Sequence, residues 1–223
     1  NELSLALRYW TSRGWAVADV DYRGSTGYGR SYMNALDGQW GVIDVADCVA
    51  AARFLVAADR VDVNRIAIKG GSAGGLTVLA ALSGYDDFSA GSCRYGVADL
   101  EILANDTHKF ESRYLDRLIG PYPKDREVYV ARSPIHQTEN FQNPMIILQG
   151  SDDAVVPPNQ SELIVEALKA KGIRHSYLLF EGEGHGFRKS ENIVKALESE
   201  YSFFSQIFGF EPFDDIELTP IVQ

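Results

Sequence analysis

The sequence is poor in several features that would indicate particular classes of protein. Its only cysteines, Cys48 and Cys93, match no zinc or redox spacing, so we expect reduced thiols and a cytoplasmic protein. No apolar run approaches the roughly 18 residues of a membrane span, and we predict neither a span nor a signal peptide. Basic residues number 21 against 31 acidic ones, and this net charge of −10 opposes binding to nucleic acid or to an anionic membrane surface.

What is present is typical of one globular domain. The chain has 223 residues, of which 45% are hydrophobic and 23% charged, and a domain of that size can bury a substantial core without disulfides or metals. Apolar runs that suit strands alternate with stretches that suit helices. This alternation predicts a mostly parallel sheet with helices on both faces.

The pattern places these elements along the chain. The predicted strands are residues 15 to 20, 65 to 69, 96 to 98, 144 to 149 and 175 to 180. Helical periodicity begins at Glu2 and recurs at residues 42 to 58, 76 to 82, 158 to 171 and 193 to 208. Two further stretches are rich in aromatic residues. We predict that the loop at 21 to 30 lines a site and that region 100 to 133 forms part of a pocket.

One serine stands between paired glycines where a strand meets a helix. Gly70, Ser72 and Gly74 satisfy Gly-x-Ser-x-Gly, a pattern in which small residues allow a tight turn that exposes the serine hydroxyl. We therefore interpret Ser72 as a nucleophile, with a structural turn as the plainer alternative. A phosphate-binding loop fits less well, because Lys69 precedes the glycines instead of following them.

Carboxylate and imidazole side chains follow two of the other predicted strands. Asp152 and Asp153 follow the strand at 144 to 149, and His185 follows the strand at 175 to 180. The carboxyl ends of parallel strands lie at one edge of a sheet, so these groups are expected to meet there. The order Ser, Asp, His is that of the α/β-hydrolases.

Serine needs an adjacent base, because its hydroxyl is a poor nucleophile near neutral pH. His185 would take the proton of Ser72, and an acid would hold the imidazole in the right tautomer. Asp153 is the predicted acid, with Asp152 and Asp99 as rivals. Metal binding by Asp152, Asp153 and His185 is a weaker alternative, because that ligand set is incomplete. The remaining histidines lack such a context and are interpreted as structural or solvated: His108, His136 and His175.

Four segments resemble the prolyl oligopeptidase family of serine peptidases, in particular its acylaminoacyl-peptidase and dipeptidyl aminopeptidase branch. They are DYRGSTGYGRSY (21 to 32), GGSAGG (70 to 75), LQGSDDAVVPPNQS (148 to 161) and GEGHGFR (182 to 188). The resemblance implies an α/β-hydrolase catalytic domain over residues 1 to 223 that cleaves short peptides without a metal or organic cofactor. It also implies a triad of Ser72, Asp153 and His185.

The resemblance further implies that the backbone N–H of Ala73 is one oxyanion donor. It implies an apolar substrate pocket formed by Leu100, Leu103, Phe110 and Val155. We expect the second oxyanion donor to be missing, because the family's His-Gly-Gly-Pro type loop and the strand before it are not encoded here. A β-propeller upstream is expected in the full-length protein. Our hypothesis is therefore a domain that lacks its first strands, partial at its amino end, from a longer peptidase.

The same triad would also serve a carboxylesterase. A catalytically incomplete fragment is the third alternative, since losing one oxyanion donor typically costs about 10²- to 10³-fold in turnover.

Overall fold

A parallel β-sheet forms the centre of the molecule. The computed structural model describes residues 4–106 and 113–223. Within these residues the strands are β1 (Ala67–Gly71), β2 (Ala90–Arg94), β3 (Met145–Gly150) and β4 (His175–Phe180). They pair in the order β1-β2-β3-β4, and every pairing is parallel. The predicted parallel sheet is thus confirmed, and three of the predicted strands correspond to β1, β3 and β4 within two residues.

Helices cover both faces of this sheet. They are α1 (Leu5–Thr11), α2 (Arg30–Asn34), α3 (Ile43–Ala57), α4 (Ala73–Gly84), α5 (Leu100–Asp106), α6 (Tyr114–Leu118), α7 (Arg126–Arg132), α8 (Pro158–Ala170) and α9 (Ser190–Phe208), with a 3₁₀ helix at Pro134–Asn140. Side chains alternate along β3, so Ile147 packs with α3, α4 and α8. Its neighbours Ile146 and Leu148 pack with α1 and α9. In the described part of the chain, no helix is both long and apolar enough to cross a bilayer.

Two predicted strands are wrong. Residues 15 to 20 form no strand, and Val17 is 43% exposed. An apolar run becomes a strand only when it pairs with another strand, and none of the described strands pairs with this run. Residues 96 to 98 are also irregular. The N–H of Ala98 donates to the Gln160 side chain (2.9 Å) and that of Leu100 to Ser133 (2.9 Å), where a strand would have ladder bonds.

The strand in this region is β2, which begins earlier than the predicted one and consists of small and polar residues. Gly91 explains why: a Cβ there would lie 2.4 Å from Cδ1 of Leu82 on α4. The close approach of helix and sheet therefore excludes the β-branched residues that usually signal a buried strand.

A buried ion cluster fastens α9 to the sheet. The Glu200 side chain has no exposed surface. It accepts bonds from Lys69 on β1 (2.7 Å) and from Ser92 (2.6 Å) and Arg94 (2.6 Å) on β2. Burial alone would raise the pKa of Glu200, but the two cations outweigh it and lower that pKa to about 2. Glu200 is therefore ionised and fully paired beneath the strand that leads to Ser72.

Candidate active site

Ser72 occupies the turn between β1 and α4. Its φ is +55°, which is unusual for a residue other than glycine. The N–H of Ser72 donates to the carbonyl oxygen of Arg94 at 3.0 Å. Gly70 is required here, because a Cβ would lie 2.4 Å from the carbonyl oxygen of Gly74. The pattern predicts that the tight turn needs small residues on both sides of Ser72, but a Cβ on Gly74 would meet nothing within 4 Å, so the requirement holds for Gly70 and not for Gly74.

His185 lies between Ser72 and Asp153, as the order of the strand ends predicts. Its Nε2 is 2.7 Å from Oγ of Ser72, and its Nδ1 is 2.9 Å from Oδ2 of Asp153. The imidazole is mostly enclosed, with 21% of its side-chain surface exposed. Three residues that are far apart in sequence thus form one continuous chain of hydrogen bonds.

The loop that carries His185 is held in place by the side chain of Glu183. Buried Glu183 accepts the backbone N–H groups of Arg188 and Lys189, each at 2.9 Å, and the side-chain amide of Asn192 at 2.8 Å. The bond from Asn192 and these backbone donors lower the pKa of Glu183 below its ordinary value. An ionised carboxylate therefore ties the loop to the first turn of α9.

Asp153 is arranged to remain charged without a permanent cation. Its side chain is fully buried, and Oδ1 accepts the backbone N–H groups of Val155 and Val156, both at 2.9 Å. Oδ2 faces His185 and the Gln149 amide, the latter at 3.3 Å. Burial raises the pKa of Asp153, but the bonds from His185 and the two backbone N–H groups outweigh it, so the net shift is downward.

The rival carboxylates have other partners. Asp152 is exposed and accepts the hydroxyl of Ser151 at 2.8 Å. Asp99 caps α5, with its Oδ1 accepting the N–H of Glu101 at 2.7 Å and of Ile102 at 3.2 Å. Neither bonds to His185 in the described contacts. Across residues 4–106 and 113–223, no group of three or more His, Cys, Asp and Glu side chains is arranged to hold a metal ion.

Ala73, the predicted oxyanion donor, is the first residue of α4. The N–H groups of the first turn have no acceptor within their own helix, and the helix dipole makes this end partly positive. An N–H in this position can donate to an oxygen that develops negative charge beside Ser72.

A cavity of about 390 Å³ opens beside Ser72 and His185. Its other lining residues are mostly apolar or aromatic: Tyr22, Leu36, Trp40, Ala73, Val97, Leu103, Tyr114, Leu115, Leu118, Val155 and Val156. Leu103 and Val155, two of the residues predicted for a substrate pocket, line this cavity. Leu100 does not line the cavity, because its side chain is fully buried in the cluster behind the wall. Phe110, like His108, lies outside the described residues.

The sequence does not predict most of the residues that line the cavity, but it does predict two of the segments that contribute them. Tyr22 belongs to the loop at 21 to 30, and Tyr114 belongs to region 100 to 133. The aromatic content of these two stretches predicts that they line a site or a pocket. Trp40 was missed, because it lies in a turn before α3 whose local sequence carries no such signal.

The chain is similar in sequence to the members of one known family. Residues 1–211 match the prolyl oligopeptidase family. The chain belongs to this family. A dipeptidyl aminopeptidase BIII from Pseudoxanthomonas mexicana is 32% identical over 208 residues, covering 91% of this chain and 30% of the relative. An acylamino-acid-releasing enzyme from Arabidopsis thaliana is 30% identical over 193 residues, covering 82% of this chain and 25% of that enzyme.

A solved structure from the family shows the same fold. A puromycin-hydrolysing peptidase from Mycobacterium tuberculosis is 48% identical, with a TM-score of 0.96 over 99% of this chain and 34% of that one. The predicted α/β-hydrolase fold is confirmed. The chain spans about a third of the length of the relatives that it matches.

Proposed function

We propose that this chain is the catalytic part of a serine peptidase that hydrolyses short peptides through an acyl-enzyme on Ser72. The observation that carries the proposal is the hydrogen-bond chain from Ser72 through His185 to Asp153, with distances of 2.7 and 2.9 Å. Both lie within the range that proton transfer between positioned groups requires. Membership of the prolyl oligopeptidase family supports a peptidase.

In the proposed reaction, Nε2 of His185 takes the hydroxyl proton as Oγ of Ser72 attacks the peptide carbonyl carbon. The carbonyl oxygen becomes an oxyanion and accepts the N–H of Ala73. Asp153 keeps the proton on Nδ1 of His185 and stabilises the imidazolium. His185 then protonates the leaving amine as the C–N bond breaks, and the acyl group remains on Ser72. Water, deprotonated by His185, releases the acid and restores the serine.

The cavity indicates the class of substrate. Its wall beside Ser72 is apolar and aromatic, and a volume of about 390 Å³ admits a large side chain. The puromycin-hydrolysing activity named for the structural relative supports a substrate with an aromatic aminoacyl group. We propose that the residue before the scissile bond is large and apolar, and that Leu103 and Val155 contact it. Phe110 stays a prediction for the same pocket.

Other parts of the proposal concern the whole protein. We propose that the active enzyme carries a β-propeller domain and a second oxyanion donor outside these residues, supported by relatives about three times as long. A native mass close to 24.7 kDa, the mass of this chain, would contradict it.

We also propose a reducing, cytoplasmic setting, because Cys48 and Cys93 are both free thiols. Fractionation of cells followed by detection of the protein tests that setting.

Covalent labelling tests the central claim. A fluorophosphonate should label Ser72 of the intact protein, and peptide mapping should find the adduct on that residue. Ser72→Ala should abolish labelling, whereas Ser12→Ala, at an exposed serine, should leave it intact. Absence of an adduct from a folded protein would refute the nucleophile and favour the catalytically incomplete alternative.

Turnover of matched substrates separates peptidase from esterase. We expect an aromatic aminoacyl amide to be hydrolysed with kcat/KM at least as high, relative to the uncatalysed rate, as the corresponding ester. Turnover of the ester alone would instead favour a carboxylesterase with the same triad. Comparing free with acylated amino ends then distinguishes aminopeptidase from acylaminoacyl-peptidase action.

A further inference from the structure

The residue after β2 has a strained backbone at the candidate site. Among residues 4–106 and 113–223, positive φ occurs at three residues other than glycine: Asp59, Ser72 and Tyr95. Asp59 lies two residues after the end of α3, and aspartate is one of the residues that tolerate this conformation. Tyr95, at φ +37°, is a bulky residue for which it is unfavourable. Strain of this kind persists only where surrounding contacts impose it, and it is concentrated at functional sites.

The Tyr95 ring lies against the imidazole of His185 and close to Gly71, the residue before Ser72. Its centroid lies 5.0 Å from that of the His185 imidazole, edge to face at 62°. The ring also lies close to Gly71, where a Cβ would lie 2.9 Å from Cε2 of Tyr95. The Phe187 ring also packs edge to face against the Tyr95 ring, with centroids 5.4 Å apart and planes at 90°. The Tyr95 ring is thus close both to the residue before the proposed nucleophile and to the proposed base.

The backbone around Tyr95 holds the same turn. Arg94 accepts the N–H of Ser72 at 3.0 Å, and the N–H of Tyr95 donates to Leu148 on β3 at 2.7 Å. A Cβ on Gly75 would lie 2.4 Å from Cα of Gly96. Consecutive residues at the end of β2 therefore contact the nucleophile turn at successive points, and Tyr95 adds the contact to His185.

We propose that Tyr95 is a positioning residue that holds the His185 imidazole at the angle from which Nε2 reaches Ser72. The bond to Asp153 fixes Nδ1 but leaves the ring free to tilt about that bond, and the Tyr95 ring occupies the space into which it would tilt. This inference rests on the proposed function, since the pair must first be catalytic. Tyr95 is not among the described residues that line the cavity, so its effect falls on turnover and not on substrate binding.

Substitution at Tyr95 tests this role in the intact protein. Tyr95→Leu removes the ring and should lower kcat by about 10- to 100-fold, the range that misplacement of a reacting group produces, with KM within about threefold. Tyr95→Phe keeps the ring and should retain most of the turnover. All rates are expressed per Ser72 titrated with fluorophosphonate, so that an unfolded fraction does not count. Tyr85→Leu is the matched control, because this half-buried tyrosine lies at the other end of α4.

A double-mutant cycle with Gly71 identifies the ring as the cause. Gly71→Ala places a methyl group against the ring and should lower kcat in the wild type by about 10-fold, but much less in the Tyr95→Leu background. Equal losses in both backgrounds would overturn the proposal.

Three other results would overturn it as well. They are wild-type kcat in Tyr95→Leu, a loss in Tyr95→Phe as large as in Tyr95→Leu, or an equal loss in Tyr85→Leu. If the wild type itself is not labelled at Ser72, the proposed function fails instead, so the two failures are distinct.

Discussion

Asp153 and Glu200 each bury a carboxylate completely, yet their surroundings differ in the kind of charge they supply. Glu200 lies between two permanent cations, Lys69 and Arg94. Asp153 is surrounded by neutral donors and by His185, a group whose charge can change. A carboxylate that is already neutralised by two cations gives little further stabilisation to a positive charge that forms nearby. A carboxylate that is held only by neutral donors stabilises such a charge more strongly. The first arrangement suits structure and the second suits catalysis.

The two carboxylates are linked through the strands. Glu200 binds side chains on β1 and β2, and β1 leads directly into Ser72. Asp153 follows β3, the next strand along the sheet. The ion cluster therefore fixes the strands, and the proposed triad lies at their ends. Substitutions that exchange charge for a neutral isostere should separate these roles.

The largest expected effect is on turnover at Asp153. Asp153→Asn keeps an oxygen for the N–H groups of Val155 and Val156 but favours the wrong tautomer of His185. We expect kcat to fall by about 10⁴-fold, as when the acid of a Ser-His-Asp triad is amidated, while the melting temperature changes little. Steady-state kinetics and calorimetry measure both. Asp152→Asn, at the exposed neighbour, should have wild-type kcat, and a similar loss there would make Asp152 the acid.

How far the sequence predicts this site depends on how local each signal is. The turn at Ser72 requires Gly70 through contacts within the segment itself, and His185 and Asp153 follow apolar strands of ordinary pattern. The positions of the serine, the histidine and the adjacent pair Asp152 and Asp153 could therefore be predicted. The choice of Asp153 over Asp152 could not come from the pattern alone, because it depends on which side chain turns inward.

The features that were mispredicted depend on contacts between distant segments. Residues 15 to 20 have the composition of a strand but lack a strand partner among the described residues. β2 lacks that composition, because α4 packs too closely on Gly91. Leu100 is buried behind the cavity, whereas Tyr22 and Trp40, which come much earlier in the sequence, line it. Such arrangements are properties of tertiary packing, which local periodicity does not encode.

The second prediction concerns Glu200, where we expect substitution to lower stability and to leave turnover almost unchanged. Glu200→Gln leaves Lys69 and Arg94 near the sheet without their anion. We expect the free energy of unfolding to fall by about 3–5 kcal/mol, the usual cost of removing one partner of a buried ion pair. Turnover per titrated Ser72 should stay within a few-fold of wild type. Urea unfolding and active-site titration measure the two quantities, and a 10³-fold loss of turnover in the folded variant would assign Glu200 a catalytic role.

Lowering the pH of the wild-type protein should weaken the same ion cluster around Glu200. The folded pKa of Glu200 is about 2, below its ordinary value of 4.5, so the unfolded chain binds the proton first as pH falls. The stabilisation is complete above about pH 5 and is lost progressively towards pH 2, by about 3 kcal/mol in total. Urea unfolding at pH 5, 4 and 3 should give a shallower decline for Glu200→Gln than for wild type. Glu162→Gln, at an exposed position on α8, should keep the wild-type slope; equal slopes for all three proteins would contradict the assignment.

The smallest expected effect concerns the neutral partner of Glu200. Ser92 is fully buried and donates its hydroxyl to Oε1 of Glu200 at 2.6 Å. Ser92→Ala removes one bond to a charged group but leaves both cations, so we expect a loss of about 2 kcal/mol and unchanged turnover. Ser205→Ala is the control, because its buried hydroxyl donates to the neutral carbonyl of Ser202, and it should cost about 1 kcal/mol. If Ser92→Ala costs as much as Glu200→Gln, the hydroxyl and not the cations holds the cluster together, and the contrast with Asp153 disappears.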